Sequence, residues 1–280
     1  METKENIRLV EYFDDHFYKI TENNQSYYIA SVTTKLGIVD KPFLARWRGD
    51  LGNREADMRV YDAQQRGKRI HFAWYVYTSG GNVIYNPFEH PNYTQEQIQE
   101  FKKQTPYFIE LKTQDEMLQL WKLQRFFELL NPTVLHAEQI VYSIEDDEAG
   151  TIDNAFMIEK GTYYVNGSKG LVIPESGVYV VDLKTGSTVD ESVWMQLAPY
   201  VNCYRKMRLG DPRGAIVMHT SSKNKSGIEG FGTLLRMNYE LEEDYKNYKH
   251  AAALWRAKNK NFSPSVFEFP SLIKRNIKEK

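Results

Sequence analysis

The run Gly177-Val-Tyr-Val-Val-Asp-Leu-Lys184 constrains this chain more than any other segment. It is short, apolar and rich in β-branched and aromatic residues, which marks a strand, and it closes on Asp-x-Lys. Alternation along a strand puts Asp182 and Lys184 on one face. Upstream, Gly150-Thr-Ile-Asp153 leads into another run of the same kind. If the two strands pair antiparallel, positions summing to about 335 face each other, and Asp153 at the start of one meets Asp182 at the end of the other. Directly opposed side chains have Cβ atoms roughly 4.5–5.5 Å apart. Two carboxylates so placed repel unless a cation lies between them, and oxygen ligands suit Mg²⁺ or Mn²⁺. Two carboxylates, a metal and an ammonium at one sheet end suit phosphodiester hydrolysis. The cation activates water and neutralises the scissile phosphate, while Lys184 orients the nucleophile or stabilises developing negative charge.

The rest of the chain supplies the frame. Residues 1–54 read as irregular, with short extended pieces such as Tyr27–Val32. Residues 55–78 carry Ile70, Ala73, Trp74 and Tyr77 at helical spacing. Thr94 is placed to cap a second helix running to Lys103. Residues 114–131 form the clearest helix, with Met117, Leu120, Trp121, Phe127 and Leu130 as its stripe and a stop at Asn131-Pro132. From residue 133 the texture changes to short strand-like runs at Val134–Ser143, Ala155–Lys160, Tyr163–Val165 and Gly177–Leu183. Helical spacing returns over 189–208. Strands at Ala215–Thr220 and Thr233–Asn238 follow, around a Gly/Ser/Lys-rich loop at 221–230, and a last helix covers 239–258. This order predicts an α/β fold: a helical N-terminal region at 1–132, a core at 133–260 with a mixed sheet flanked by helices, and a basic tail at 261–280.

Composition removes several classes. The one cysteine, Cys203, cannot form an internal disulfide or supply a four-cysteine metal site, and it reads as a small residue on a helix. No window approaches 18 consecutive apolar residues, and the start METKENIRLVEYF lacks a signal-peptide pattern, so an intracellular, cytoplasmic protein without a membrane partner is expected. Net charge is −1, less basic than a protein that coats duplex DNA indiscriminately. The charge is uneven: Arg46-Trp47-Arg48, Arg66-Gly67-Lys68-Arg69 and the Lys/Arg-rich C-terminal segment are local positive runs that could hold a phosphate backbone.

Taken in order, Gly150–Asp153, Val180–Lys184 and Gln196-Leu-Ala-Pro-Tyr200 resemble the motifs of RecB-type nucleases in the PD-(D/E)xK superfamily. Gly67-Lys-Arg-Ile-His71 is similar to the family's helical Gly-x-x-x-His motif, and Glu138 in His136-Ala-Glu138-Gln-Ile-Val matches the family's acidic residue before the first core strand. Ala30-Ser31-Val32-Thr33-Thr34, followed by Lys41-Pro-Phe-Leu-Ala-Arg-Trp47, looks like the opening of stand-alone single-strand exonucleases related to mitochondrial genome maintenance exonuclease. The likeness spans residues 30 to about 258. Relatives that hold an iron–sulfur cluster carry four cysteines, so that subgroup is excluded, and no P-loop for an attached motor is present.

The resemblance implies a restriction-endonuclease-like core. It implies a metal-dependent deoxyribonuclease, an exonuclease on single-stranded DNA or DNA ends that works in replication, recombination or repair beside the proteins of those processes, as stand-alone phage relatives do. His71, Asp153 and Asp182 would bind Mg²⁺ or Mn²⁺, with the Leu183 carbonyl as a further ligand. Glu138 would hold a second ion or support the attacking water. Gln196 and Tyr200 would position substrate from one helix face, although Pro199 between them is awkward inside a helix. Ser31 and Thr33 could bind phosphate, as could the basic Arg66 and Lys68. Trp47 could stack a base, with core packing favoured. Two alternatives stay open: a structure-specific endonuclease with the same core, and a nucleic-acid-binding module that has kept the fold without the catalysis.

Overall fold

The computed structural model describes residues 7–12, 15–165, 168–220, 232–260 and 262. The expected loop at 221–230, and the expected tail at 261–280 apart from Phe262, lie outside the described residues.

The N-terminal segment is not irregular. β1 (Ile7–Tyr12), β2 (Asp15–Glu22) and β3 (Gln25–Ala30) form an antiparallel meander. The β2–β3 link is Asn23-Asn24, with φ of 50° and 64°. Two consecutive residues of positive φ match the twist of a hairpin, and asparagine tolerates that conformation. Five residues of helix α1 (Val32–Leu36) follow, capped by Ser31. α2 (Pro42–Leu51) starts on proline, which is pre-set for a first helical turn. None of its residues is buried, so the expectation that Trp47 packs in the core fails: Trp47 is only half-buried.

α3 (Asn53–Thr78) is the long helix expected over 55–78. β4 (Asn82–Tyr85) and β5 (Phe108–Leu111) pair in parallel around α4 (Gln95–Gln104), whose Thr94 cap is as expected. α5 (Gln114–Leu130) ends on Asn131 in the left-handed region, ahead of Pro132. The first 132 residues thus hold strands as well as helices.

The remaining elements are β6 (Thr133–Ser143), β7 (Glu148–Ile158), β8 (Gly161–Val165), β9 (Ser168–Ile173), β10 (Gly177–Lys184), α6 (Ser192–Lys206), β11 (Pro212–His219), β12 (Gly232–Met237) and α7 (Asn238–Lys258). Among the described residues the central sheet runs β12-β11-β10-β7-β6, with β10–β11 parallel and the other pairs antiparallel. The chain is mixed α/β, with helices on both faces of this sheet. Val178, Val180 and Val217 pack with Trp194, Leu197 and Tyr248 from α6 and α7. Tyr179, Val181, Ile216 and Met218 pack on the opposite face with Trp74, Leu123 and Phe126 from α3 and α5. A strand buried on both faces reads as a continuous apolar run, which explains 178–181.

The β7–β10 register is the expected one. Val178 faces Met157 and Val181 faces Asn154, each pair summing to 335. Asp153, however, is not at the start of its strand. β7 begins at Glu148 because the β6–β7 hairpin extends beyond the β10 ladder, pairing Ser143 with Glu148. That hairpin is also tied to α1 and α7. Lys35 is fully buried and meets the Asp147 carboxylate at 2.9 Å, and Arg256 of α7 reaches the same oxygen at 2.8 Å.

α6 runs through Pro199 without a break. Tyr200 lies buried beneath Gly150, where an added Cβ would fall 2.1 Å from the Tyr200 ring. The first glycine of Gly-x-x-Asp is therefore fixed by a tyrosine 50 positions downstream. Gly150→Ala is expected to cost about 1–3 kcal/mol by overpacking, read as a lower thermal midpoint. Tyr200→Phe should not relieve the cost, because the clash includes ring carbon; full relief by Phe would refute this account.

Candidate metal centre

The β7–β10 ladder is paired as far as Val181–Asn154. Just past that pair the Leu183 N–H donates to Asp153 Oδ2 at 2.6 Å, so the carboxylate closes the gap where ladder bonding stops. The other oxygen, Asp153 Oδ1, meets His71 Nδ1 at 3.1 Å. Glu138 comes from β6, between Ala137, which faces Asn154, and Gln139, which faces Ile152, so it stands opposite Asp153. Its φ is 48°, a left-handed conformation that costs an ordinary residue about 1 kcal/mol or more and gathers at functional sites. One ligand atom from each of His71, Glu138 and Asp153 lies within 4.8 Å of the others.

His71 arrives there because α3 is pinned to β7. Trp74, three positions on and on the same helix face, donates from Nε1 to Asn154 Oδ1 at 2.6 Å in a buried contact. Asn154 in turn donates to Thr78 Oγ1 at 3.3 Å. Gly67 lets the helix approach the end of β10: a Cβ there would lie 3.2 Å from Thr185 Oγ1. Neither Trp74 nor Asn154 stood out in the sequence as a site residue. The available signal was their adjacency to His71 and Asp153.

Asp182 is buried and lies outside the three-residue cluster. Its carboxylate is 2.8 Å from the Lys184 ammonium through Oδ2, and Oδ1 accepts from Gln196 Nε2 at 3.2 Å. Lys184 also donates to Gln196 Oε1 at 3.2 Å. Asp182, Lys184 and Gln196 thus form one hydrogen-bonded set. The implied ligand set is regrouped: His71 and Asp153 are together as expected, Glu138 joins them, and Asp182 is with Lys184. Leu183 presents its N–H to Asp153.

The expected substrate contacts fare unevenly. Gln196 is half-buried beside Lys184, whereas Tyr200 is buried under Gly150 and presents no surface to a substrate. Ser31 is buried, and its Oγ accepts from the Thr34 N–H at 2.9 Å, so its hydroxyl serves the helix cap; Thr33 is exposed but bonds Ser31 at 2.9 Å. Arg66 points to Asp115 at 3.5 Å, while Lys68 lines a cleft of about 1460 Å³ that also takes in His71, Glu138 and Asp153.

Charges in the cluster pull on one another. Burial opposes a charge on His71, but the adjoining Asp153 carboxylate outweighs it and raises the imidazole to about 9. Burial likewise opposes ionisation of Asp153, and His71 overcomes it, so this carboxyl is held below its usual range. Asp182 is raised by burial despite Lys184. The Glu138 residue reaches solvent, yet desolvation of its carboxyl and the charge of Asp153 lift it to about 7. The signs give two windows. The His71 proton contributes stability below its unfolded value of about 6.5, and this is lost as pH rises through about 9. Glu138 acts oppositely to a paired carboxylate: ionising it costs stability as pH rises from 4.5 through about 7.

No protein-family model matches this sequence, and no curated protein matches it. No helix among the described residues is long and apolar enough to cross a membrane.

Glu138→Gln is expected to raise the thermal midpoint of metal-free protein at pH 8 by about 2–4 °C, the scale of 1 kcal/mol in a domain near this size. Near pH 4 the two proteins should melt together, and saturating Mn²⁺ should cancel the advantage at pH 8. A variant less stable than the parent at pH 8 without metal would contradict the charge assignment.

Proposed function

We propose that this chain is a divalent-metal-dependent nuclease with a PD-(D/E)xK core, acting as an exonuclease on single-stranded DNA or DNA ends. The observation that carries the reading is the convergence of His71, Glu138 and Asp153 within 4.8 Å, beside the Asp182–Lys184–Gln196 set. The sheet order β11-β10-β7-β6, with its one parallel pair, supports the same reading, as does the ordered series of motifs.

The donor chemistry fits a cation. Two carboxylates and an imidazole face one another, and Glu138 is raised to about 7 by desolvation of its carboxyl and by the Asp153 charge it meets there. Oxygen donors suit Mg²⁺ or Mn²⁺, and the imidazole tilts the preference to Mn²⁺. His71, Glu138 and Asp153 would hold the ion. Asp182 could join them only by giving up part of its contact with Lys184. A cation bound here supplies an activated water and offsets charge on the scissile phosphate.

The chain's own groups do the rest. Leu183 N–H fixes the direction of the Asp153 carboxylate. Asp182 and Gln196 hold the Lys184 ammonium, and Asp182 keeps it protonated against burial. From that position Lys184 can hydrogen-bond an attacking oxygen or a non-bridging phosphate oxygen. The cleft is larger than the roughly 300–1,000 Å³ of a small-molecule pocket, in keeping with a polymeric substrate.

Cleavage of 5′- and 3′-labelled single strands in Mn²⁺ tests this. Chelator should abolish it, and Asp182→Ala and Lys184→Ala should each lower the rate at least a hundred-fold, roughly the scale of lost transition-state stabilisation. Full activity in Asp182→Ala sinks the mechanism, and cleavage of closed circular strands replaces exonuclease by endonuclease.

The ion must displace the proton from His71. Its apparent affinity should therefore rise about ten-fold per pH unit between about 7 and 9, and more steeply below about 7 where Glu138 also loses a proton, with a shallower slope in His71→Ala. Titration calorimetry with Mn²⁺ across pH 6.5–8.5 reads this directly. A pH-independent affinity would remove His71 from the ligand set.

A further inference from the structure

One face of α3 lines the cleft from end to end. Asp57, Tyr61, Gln64, Lys68, His71 and Tyr75 recur at intervals of three and four, and Phe72 joins them beside His71. A helix rises 1.5 Å per residue, so Tyr61 and Tyr75 are separated by about 21 Å along the axis, with His71 between them. Two of the aromatic rings are open to solvent: Tyr61 is 61% and Phe72 48% exposed. Phe72 is braced by Tyr75, ring centroids 6.1 Å apart, and Tyr75 by Tyr107 at 5.3 Å. Large aromatic rings held open to solvent in a cleft next to a candidate phosphodiester site are best matched by flat, π-faced ligands.

The charge lining of this cleft points the same way. Arg48 is engaged by Asp57 at 2.8 Å, and Glu11, Glu138 and Asp153 add negative charge. Lys68 is exposed in the middle of the face. With so mixed a lining, phosphate contacts alone cannot hold a strand, and the aromatic rings must contribute. Duplex bases are stacked on each other and offer no faces, so the occupant is a single strand.

We infer that the α3 face is a stacking track for a few nucleotides of single-stranded DNA, with Phe72 and Tyr61 as base platforms and Lys68 as the phosphate contact. The stacking role open to Trp47 on α2 passes to these rings, since Trp47 is absent from the cleft lining. The inference rests on the nuclease reading for its choice of ligand, yet it is tested without turnover.

The experiment measures binding of the full chain to a fluorescent thymidine 12-mer and to an abasic strand of equal length and charge, in Ca²⁺ and again in chelator. Base stacking on aromatic side chains is typically worth about ten-fold or more in affinity per base. Phe72→Ala and Tyr61→Ala should each lose that on the thymidine strand and nothing on the abasic one, while Phe72→Trp and Tyr61→Trp retain it. The salt slope should be shallow, about −0.7 per phosphate contacted, for one or two phosphates. Equal losses on both strands, unchanged binding in both alanine variants, or no binding of either strand would overturn the track. Discrimination between strands by a protein that never cleaves would keep the track and remove the nuclease. Metal-dependent cleavage with unaltered KM in Phe72→Ala and Tyr61→Ala would do the reverse.

Discussion

A buried hydrogen bond of 2.6 Å from the Trp74 indole to Asn154 fixes where α3 lies on the central sheet. The indole is held on its other sides by Tyr77, Phe127 and Phe156, at ring separations of 5.6, 5.8 and 6.4 Å. Packing alone would allow the helix to slide by fractions of an ångström, because apolar contact is not directional. A donor and an acceptor that would each go unsatisfied if parted do not allow it. His71 is on the same face of that helix and Asp153 is the residue before Asn154. The clamp therefore sets the imidazole–carboxylate distance without touching either group.

Around this clamp the charges sort into pairs with one left over. His71 balances Asp153, and Lys184 balances Asp182. Among the described residues Glu138 has no cation paired to it, and desolvation together with the Asp153 charge raises its carboxyl to about 7. A conformation of φ 48° presents that carboxyl from mid-strand, so backbone strain and charge repulsion fall on the same residue. Strain concentrated on a group that the fold does not need is the pattern of a site preorganised for something added later. A proton at low pH relieves the charge repulsion, as would the divalent ion proposed for this site at high pH.

Much of this was legible in the chain. The 335 register follows from two strands and their polar ends, because alternation leaves few ways to bury both apolar runs. The helix limits at Thr94 and Asn131 follow from capping chemistry and from the proline after Asn131. The meander over residues 7–30 was harder: its Asn23-Asn24 turn lacks the glycine of the strongest hairpin signals, and its short strands lie among polar residues. The grouping within the site was harder still. Sequence distance places Asp153, Asp182 and Lys184 at one sheet end, but side-chain direction beyond the last ladder pair depends on the twist and on partners such as Gln196 and Leu183. Ser31 and Tyr200 failed as substrate contacts for a similar reason. A hydroxyl near a helix start is as useful to the helix as to a phosphate, and a tyrosine one turn from Gln196 can face inward.

Tyr200 also explains why the Gly-x-x-Asp and Gln-x-x-x-Tyr segments belong together. The tyrosine ring occupies the space that a side chain at residue 150 would need, and Gln196 sits one turn before it on α6. β7 can approach α6 closely only at a glycine. That approach brings Gln196 within 3.2 Å of both Lys184 and Asp182. A larger residue at 150 would push β7 from α6 and move Asp153, three positions further along the same strand, away from the Leu183 N–H that orients it. The glycine and the buried tyrosine thus act on the site through the spacing of a strand and a helix, although neither carries a charge to it.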